Sequence, residues 1–197
     1  VVFHSQGSDH VGPLRSGRSQ DINILTSLNR PLFLWSGGNG AVTSLIQKSE
    51  LVNMSASAAS NGGGFFRSTD MKAPHNLFSK TSNIWALDAG RGGTPPPQFS
   101  YHTDGTAPSG TPTAGLKLTM DGNMKTAWQW DPTLEKFVRF HDAKAHVDSN
   151  GVQINMDNVV VIVCEYKFSS ADKNSPEAQT VGSGAAWLFT QGTWTEG

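Results

Sequence analysis

Apolar and polar positions along this chain fall into short runs whose period keeps changing, the pattern of many small elements. Pro31–Trp35 is an apolar run closed by Ser36-Gly37-Gly38-Asn39-Gly40, a strand followed by a tight loop. From Ala41 to Glu50 the apolar residues Val42, Leu45 and Ile46 recur at helical spacing and predict a short helix. Leu51–Met54 predicts another strand, and Ser55–Gly64 a small, polar connection ending in three glycines before Phe65-Phe66-Arg67. Ser79 or Thr81 is placed to cap a second helix through Ile84, Trp85 and Leu87 to Gly90. Arg91–Pro97 and Thr103–Thr113 read as loops.

Beyond Gly115 the period drops to two. Gly115–Met120 alternates and meets the turn signal Asp121-Gly122. Thr126–Trp130 and Lys136–Phe140 flank Asp131-Pro132 as a hairpin, with Trp128 and Trp130 on one face and Phe137 and Arg139 on one face of the partner strand. Asn158–Tyr166 predicts a buried strand, Ser169–Glu177 a polar linker, and Gly182-Ser-Gly184 with Trp187–Phe189 a last hairpin. The sum is an α+β fold, mostly antiparallel β-sheet with two short helices and a small C-terminal β hairpin part.

At 197 residues the chain is long enough to bury a core. Charged residues are only 16%, against roughly 25% in typical soluble domains, with Gly, Ser, Thr and Asn in their place, as in many secreted β-rich proteins. A net charge of -1 excludes broad electrostatic binding to nucleic acid or to an anionic membrane, so any anion site must be local. No apolar stretch approaches a membrane span. The lone Cys164 rules out an internal disulfide and reads as a small hydrophobe within its strand. Val1–His4 begins as if inside a strand and Gly192–Gly197 ends in a hairpin, so the chain reads as clipped at both ends, where a signal peptide or anchor would lie.

The candidate chemistry lies in the arginines. There are six, and we single out four, set in short motifs with glycine, proline or aromatic residues: Arg15 and Arg18 in Gly12-Pro-Leu-Arg-Ser-Gly-Arg18, Arg67 after two phenylalanines, and Arg139 in Phe137-Val-Arg-Phe140. Guanidinium among rigid neighbours suits planar, bidentate recognition of phosphate, sulfate or carboxylate. Two solvated loop arginines are the plainer account of Arg15 and Arg18. The Ser36–Gly40 loop precedes a helix, so its amides could cradle an anion, but its spacing is no P-loop and a tight turn serves equally. In Ala73-Pro74-His75-Asn76 the imidazole is an acid/base candidate, set against a structural loop histidine.

Other chemistries find less support. His141, Asp142, His146 and Asp148 are metal-compatible types in a probable loop without helical ligand spacing, so we assign no metal and no cofactor. No Gly-x-Ser-x-Gly elbow occurs, and the aspartates are singles rather than the facing pair glycosidases need. The tryptophans read as core and cross-strand packing before a sugar platform.

The order Gly-Pro-Leu-Arg-Ser-x-Arg, Ser-Gly-Gly, aromatic-Arg, Ala-Pro-His-Asn-Leu, aromatic-x-Arg, His-x-Asp and Asn-Val-Val-Val resembles the YerB-like family of bacterial lipoproteins, a two-part domain of unknown function. The resemblance spans nearly the whole chain. It implies a main α+β domain over 1–157 and the start of a smaller C-terminal β part over 158–197. The matching polar positions are Arg15, Ser16, Arg18, Gly37, Gly38, Arg67, Pro74, His75, Asn76, Arg139, Asp148 and Asn158. It also implies an exported protein, lipid-anchored outside the bacterial cytoplasmic membrane. Trp35 stands where such proteins often carry histidine.

Three functions remain open on these residues. One is an envelope binding module in which Arg15, Ser16, Arg18, Gly37, Gly38, Arg67, Asn76 and Arg139 hold an anionic small molecule or polymer. Another is a hydrolase or transferase on such a ligand, with His75 and Asp148 as acid and base. The third is a structural or assembly partner of an envelope protein, its arginines bracing loops.

Overall fold

The structure, a computed structural model, describes residues 9–101, 106, 109–120 and 122–197. The strand expected at Val1–His4, Asp121 of the expected turn, and 103–105 and 107–108 of the polar loop lie outside the described residues. The chain builds two units and visits each twice. The first runs to Ser100 and takes in Glu165–Val181, and the second holds Tyr101–Cys164 and Gly182–Gly197.

In the first unit β1 (His10–Val11) is followed by α1 (Ser19–Leu25), β2 (Leu32–Trp35), α2 (Gly40–Lys48), β3 (Val52–Ser55), β4 (Phe65–Arg67), β5 (Leu77–Lys80) and α3 (Thr81–Asp88). The period-of-four apolar positions place Val42 and Ile46 of α2 inward, and Asn39 caps the helix by accepting the Val42 amide at 2.9 Å. With its apolar face down, α2 carries the chain back over the sheet, so β2 and β3 pair in parallel, Leu32 beside Val52 and Trp35 beside Ser55. Leu25, Phe33, Trp35, Val42, Ile46 and Leu51 form one buried cluster, and Val52, Met54 and Ile84 another. Each large side chain so buried contributes roughly 1.5–3 kcal/mol. A separate antiparallel sheet runs in the order β1-β5-β4. The sequence missed α1. Its start is set by the Arg18 amide donating to Asp21 at 2.7 Å, and its inward residue is Leu25.

The second unit begins with β6 (Thr111–Pro112), β7 (Gly115–Met120), β8 (Met124–Asp131), β9 (Lys136–His141), β10 (Lys144–Ala145), β11 (Asn155–Met156) and β12 (Asn158–Ile162). The expected hairpin forms across Asp131-Pro132, pairing Trp128 with Arg139 and Trp130 with Phe137. Phe137 is fully buried, with the Trp130 ring centroid 5.0 Å away and Phe189 edge-on at 6.4 Å.

The expected Asn158–Tyr166 strand is neither continuous nor buried. It stops at Ile162, only Val159 is buried, and Cys164 lies half-buried past its end. The chain then returns to the first unit as β13 (Tyr166–Phe168) and β14 (Pro176–Ala178), an antiparallel clasp where a linker was expected. It ends as β15 (Ala186–Thr190) and β16 (Thr193–Glu196), in a sheet ordered β12-β15-β16-β6. The expected 157/158 boundary lies between β11 and β12, both in the second unit, where β6 from before it pairs with β16 from after it.

Candidate functional site

Two hairpin strands and one crossing segment assemble the candidate site in the first unit. Arg67 ends β4 and pairs in register with Leu77, so Asn76 faces it across the base of the 68–76 turn. Asn76 locks that base: its carbonyl accepts from the Ser68 amide at 2.8 Å, and its Nδ2 donates to the Ser68 carbonyl at 3.2 Å. Its remaining oxygen, Oδ1, accepts from the Arg67 guanidinium at 2.7 Å. The Leu14 amide donates to the Leu77 carbonyl at 2.8 Å, which lays residues 12–18 beside the same strand and brings Arg15 to His75. Arg15 Nη1 lies 2.8 Å from His75 Nδ1. The same Nη1 lies 3.2 Å from His75 Nε2, so the guanidinium sits against the edge of the imidazole.

The Ser-Gly-Gly loop joins this arrangement through its backbone. The Ser36 amide donates to the Arg15 carbonyl at 2.9 Å, and the Gly17 amide to the Gly37 carbonyl at 3.2 Å. Four motifs far apart in sequence therefore converge: Arg15, Gly37, Arg67 and the His75-Asn76 pair. Beside them lies an open depression of about 410 Å³ lined by Ser36, Ser57, Phe65, Phe66, Arg67 and Leu77. Ser16 is exposed on the crossing segment.

Asn39 fills the cap of α2, and its Nδ2 donates to the Ala171 carbonyl of the clasp at 2.9 Å. Gly38 is small for packing, since a Cβ there would stand 3.1 Å from the Trp35 ring.

Three expected site residues are committed elsewhere. Arg18 points to the clasp, with Nη1 3.2 Å from Asp172 Oδ2. The Ser175 hydroxyl first, then the Asn174 amide, hold the Asp172 carboxyl below the usual carboxylate range against the cost of desolvation, and Arg18 adds to this. Asp148 belongs to the second unit, where Oδ1 accepts the amides of Asn150 and Val152 and closes a turn. Arg139 is also in that unit, its guanidinium 5.6 Å from the Trp128 ring centre and donating to His146 Nδ1 at 2.8 Å.

Desolvation chiefly, with the Arg139 and His141 charges, keeps His146 below the ordinary histidine range, so its neutral ring accepts from Arg139. A cation at this histidine would face Arg139. Because the folded-state value is depressed from 6.5, the unfolded chain binds the proton first. Second-unit stability should be complete above that pH and decline as pH falls through it. Thermal melts followed by Trp128 and Trp130 should show a lower midpoint at pH 5.5 than at 7.5. His146→Gln should flatten the difference.

Sequence reasoning passed over the two remaining arginines. Arg30 and Arg91 line a larger depression of about 690 Å³ at the start of β2 and β3. Their only sequence signal was that they too are arginines beside a proline or glycines.

Residues 1–94 match the family described as protein of unknown function (DUF3048) N-terminal domain, and 116–197 match its C-terminal domain. The chain belongs to the DUF3048 family. The fold agrees: the crystal structure of YerB protein from Bacillus subtilis superposes with a TM-score of 0.79 at 17% identity, over 95% of this chain and 63% of that one. The chain thus spans less than two thirds of the YerB chain's length. No curated protein matches the sequence.

All of Arg15, Gly37, Arg67, His75 and Asn76 fall in the DUF3048 N-terminal match, whereas Arg139 and Asp148 fall in the C-terminal one. The clasp belongs by sequence to the DUF3048 C-terminal domain yet packs in the first unit, with Ala171 against the Trp35 cluster. Part of the C-terminal sequence domain of this DUF3048 protein thus belongs to the first compact unit.

Proposed function

We propose that the first unit binds an anionic group through Arg15 and Arg67. One observation carries this reading. Both guanidiniums rest on non-acidic side chains, Arg15 on His75 and Arg67 on Asn76, and among the described residues neither meets a carboxylate. Each is braced by one neighbouring side chain while its charge and its other donors stay available, the arrangement suited to bidentate capture of phosphate, sulfate or carboxylate. Both are exposed, and Arg67 lines the depression together with Ser36 and Ser57. The ligand class is an anionic small molecule or polymer of the cell envelope, in keeping with the exported, lipid-anchored setting that the YerB-like resemblance implies. Recognition is favoured over turnover because His75 contacts Arg15 and, among the described residues, no carboxylate that would orient it as acid or base.

The test is calorimetry with inorganic phosphate, sulfate and dextran sulfate at low salt. Arg15→Ala and Arg67→Ala should each weaken binding by about tenfold or more, the loss of one charge-assisted hydrogen bond. Arg67→Lys should recover only part of it, since a point charge replaces a planar fork. His75→Ala should retain binding. Equal affinity in the Arg15/Arg67 double variant would sink the proposal.

A further inference from the structure

We infer that the first unit carries a second ligand site, at the start of β2 and β3, built for a small zwitterion of the amino-acid type. The depression there has a volume of about 690 Å³ and is lined by Arg30, Arg91, Glu50, Asn53, Gln47 and Ser49, over Leu51 and Val52. It lies at the other end of β2 from Ser36 and needs neither Arg15 nor Arg67.

The cationic side is pre-set. Arg91 is clamped by its Nε to the Asp88 carbonyl at 2.8 Å and its Nη2 to the Leu87 carbonyl at 2.9 Å, with Met54 Sδ behind. Those contacts satisfy the end of α3 and leave Nη1 facing outward without a partner among the described residues. Arg30 is exposed and likewise makes no ion pair there. Its backbone is unusual: Asn29 and Arg30 both take positive φ, 54° and 56°, a conformation that side-chain-bearing residues rarely adopt twice running. The corner is fastened rather than loose. The Gly93 amide donates to the Arg30 carbonyl at 3.1 Å, and Asn29 Nδ2 to the Thr94 carbonyl at 3.0 Å. A Cβ at Gly93 would stand 2.2 Å from the Asn29 carbonyl oxygen, so the loop that carries Arg91 is pressed onto the corner that carries Arg30.

The anionic side is Glu50, exposed and without an ion-pair partner among the described residues although two arginines line the same depression. It follows directly on the C-terminal end of α2, whose last carbonyls carry partial negative charge. A ligand with carboxylate toward Arg30 and Arg91 and ammonium toward Glu50 satisfies both sides at once. An inorganic anion satisfies only one.

The experiment follows amide shifts of the ¹⁵N-labelled chain on titration with L-alanine, acetate and ethylamine. L-alanine should give saturable shifts at residues 49–53 and 91–93, with affinity at least about tenfold above either half-ligand. Arg30→Asn removes the charge but keeps a residue at ease with positive φ, and Glu50→Gln is isosteric. Both should abolish the saturable shifts while the remaining spectrum is unchanged. Arg15→Ala and Arg67→Ala should leave them intact, which separates this site from the proposed anion site. Acetate binding as tightly as L-alanine, absence of saturable shifts, or shifts that survive Arg30→Asn would each overturn the inference.

Discussion

Gly17→Ala should cost the first unit about 3 kcal/mol, at the upper end for overpacking. Gly17 is buried, and a Cβ added there would stand 2.5 Å from Cε3 of Trp35 and 3.2 Å from Cδ1 of Ile46. Neither neighbour has room to yield. Trp35 is 1% exposed with its Nε1 donating to Asn53 Oδ1 at 2.8 Å, and Ile46 is fully buried. The loss has a functional consequence, because Gly17 also ties the Arg15 segment to the Gly37 carbonyl. Melting of the variant should fall by roughly 6–12 °C, with phosphate binding weakened although no ligand-facing residue has changed. An unchanged melting temperature would show that the Trp35 ring can move, and the packing account of this glycine would fail.

Replacing residues 166–178 with a Gly/Ser linker of equal length should destabilise the first unit more still. The clasp makes five side-chain bonds to it: Arg18 to Asp172, Ser19 to Ser169 and to Glu177, Gln20 to the Ala178 amide, and Asn39 to the Ala171 carbonyl. Apart from the exposed Arg18–Asp172 pair, at about 1 kcal/mol net each, the loss of the other four amounts to about 4 kcal/mol before the packing of Ala171 is counted, a large share of the whole stability of a small domain. Hydrogen exchange should accelerate in α2 and β2 while the β8–β9 hairpin keeps its protection. Undiminished protection in α2 would mean that the clasp merely rests on the unit. The expected result also implies that a chain cut between the two DUF3048 domains leaves its first unit incomplete.

Short-range patterns were legible wherever a period and a stop signal coincided. Val42 and Ile46 after Ser36–Gly40 predicted α2, and Asp131-Pro132 between alternating runs predicted the β8–β9 hairpin with its Trp128/Arg139 and Trp130/Phe137 faces. α1 was not legible, because seven residues carry too little periodicity and its capping partner is its own Asp21. The Asn158–Tyr166 run was misread because β-branched residues look buried whether or not anything covers them, and here Val160 and Ile162 are about half exposed.

The site divides in the same way. Sequence alone determined which residue types are candidates for the proposed binding, since an arginine set beside Pro, Gly or Phe is visible without coordinates, and it determined the family through the order of its motifs. Only the tertiary structure decided which arginines stand free. Arg67 meets Asn76 across its own hairpin, but Arg15 meets His75 from 60 residues away and Arg18 a carboxylate 154 residues on. A guanidinium's availability depends on what the rest of the fold places against it, and such long-range pairings leave no local trace in the sequence.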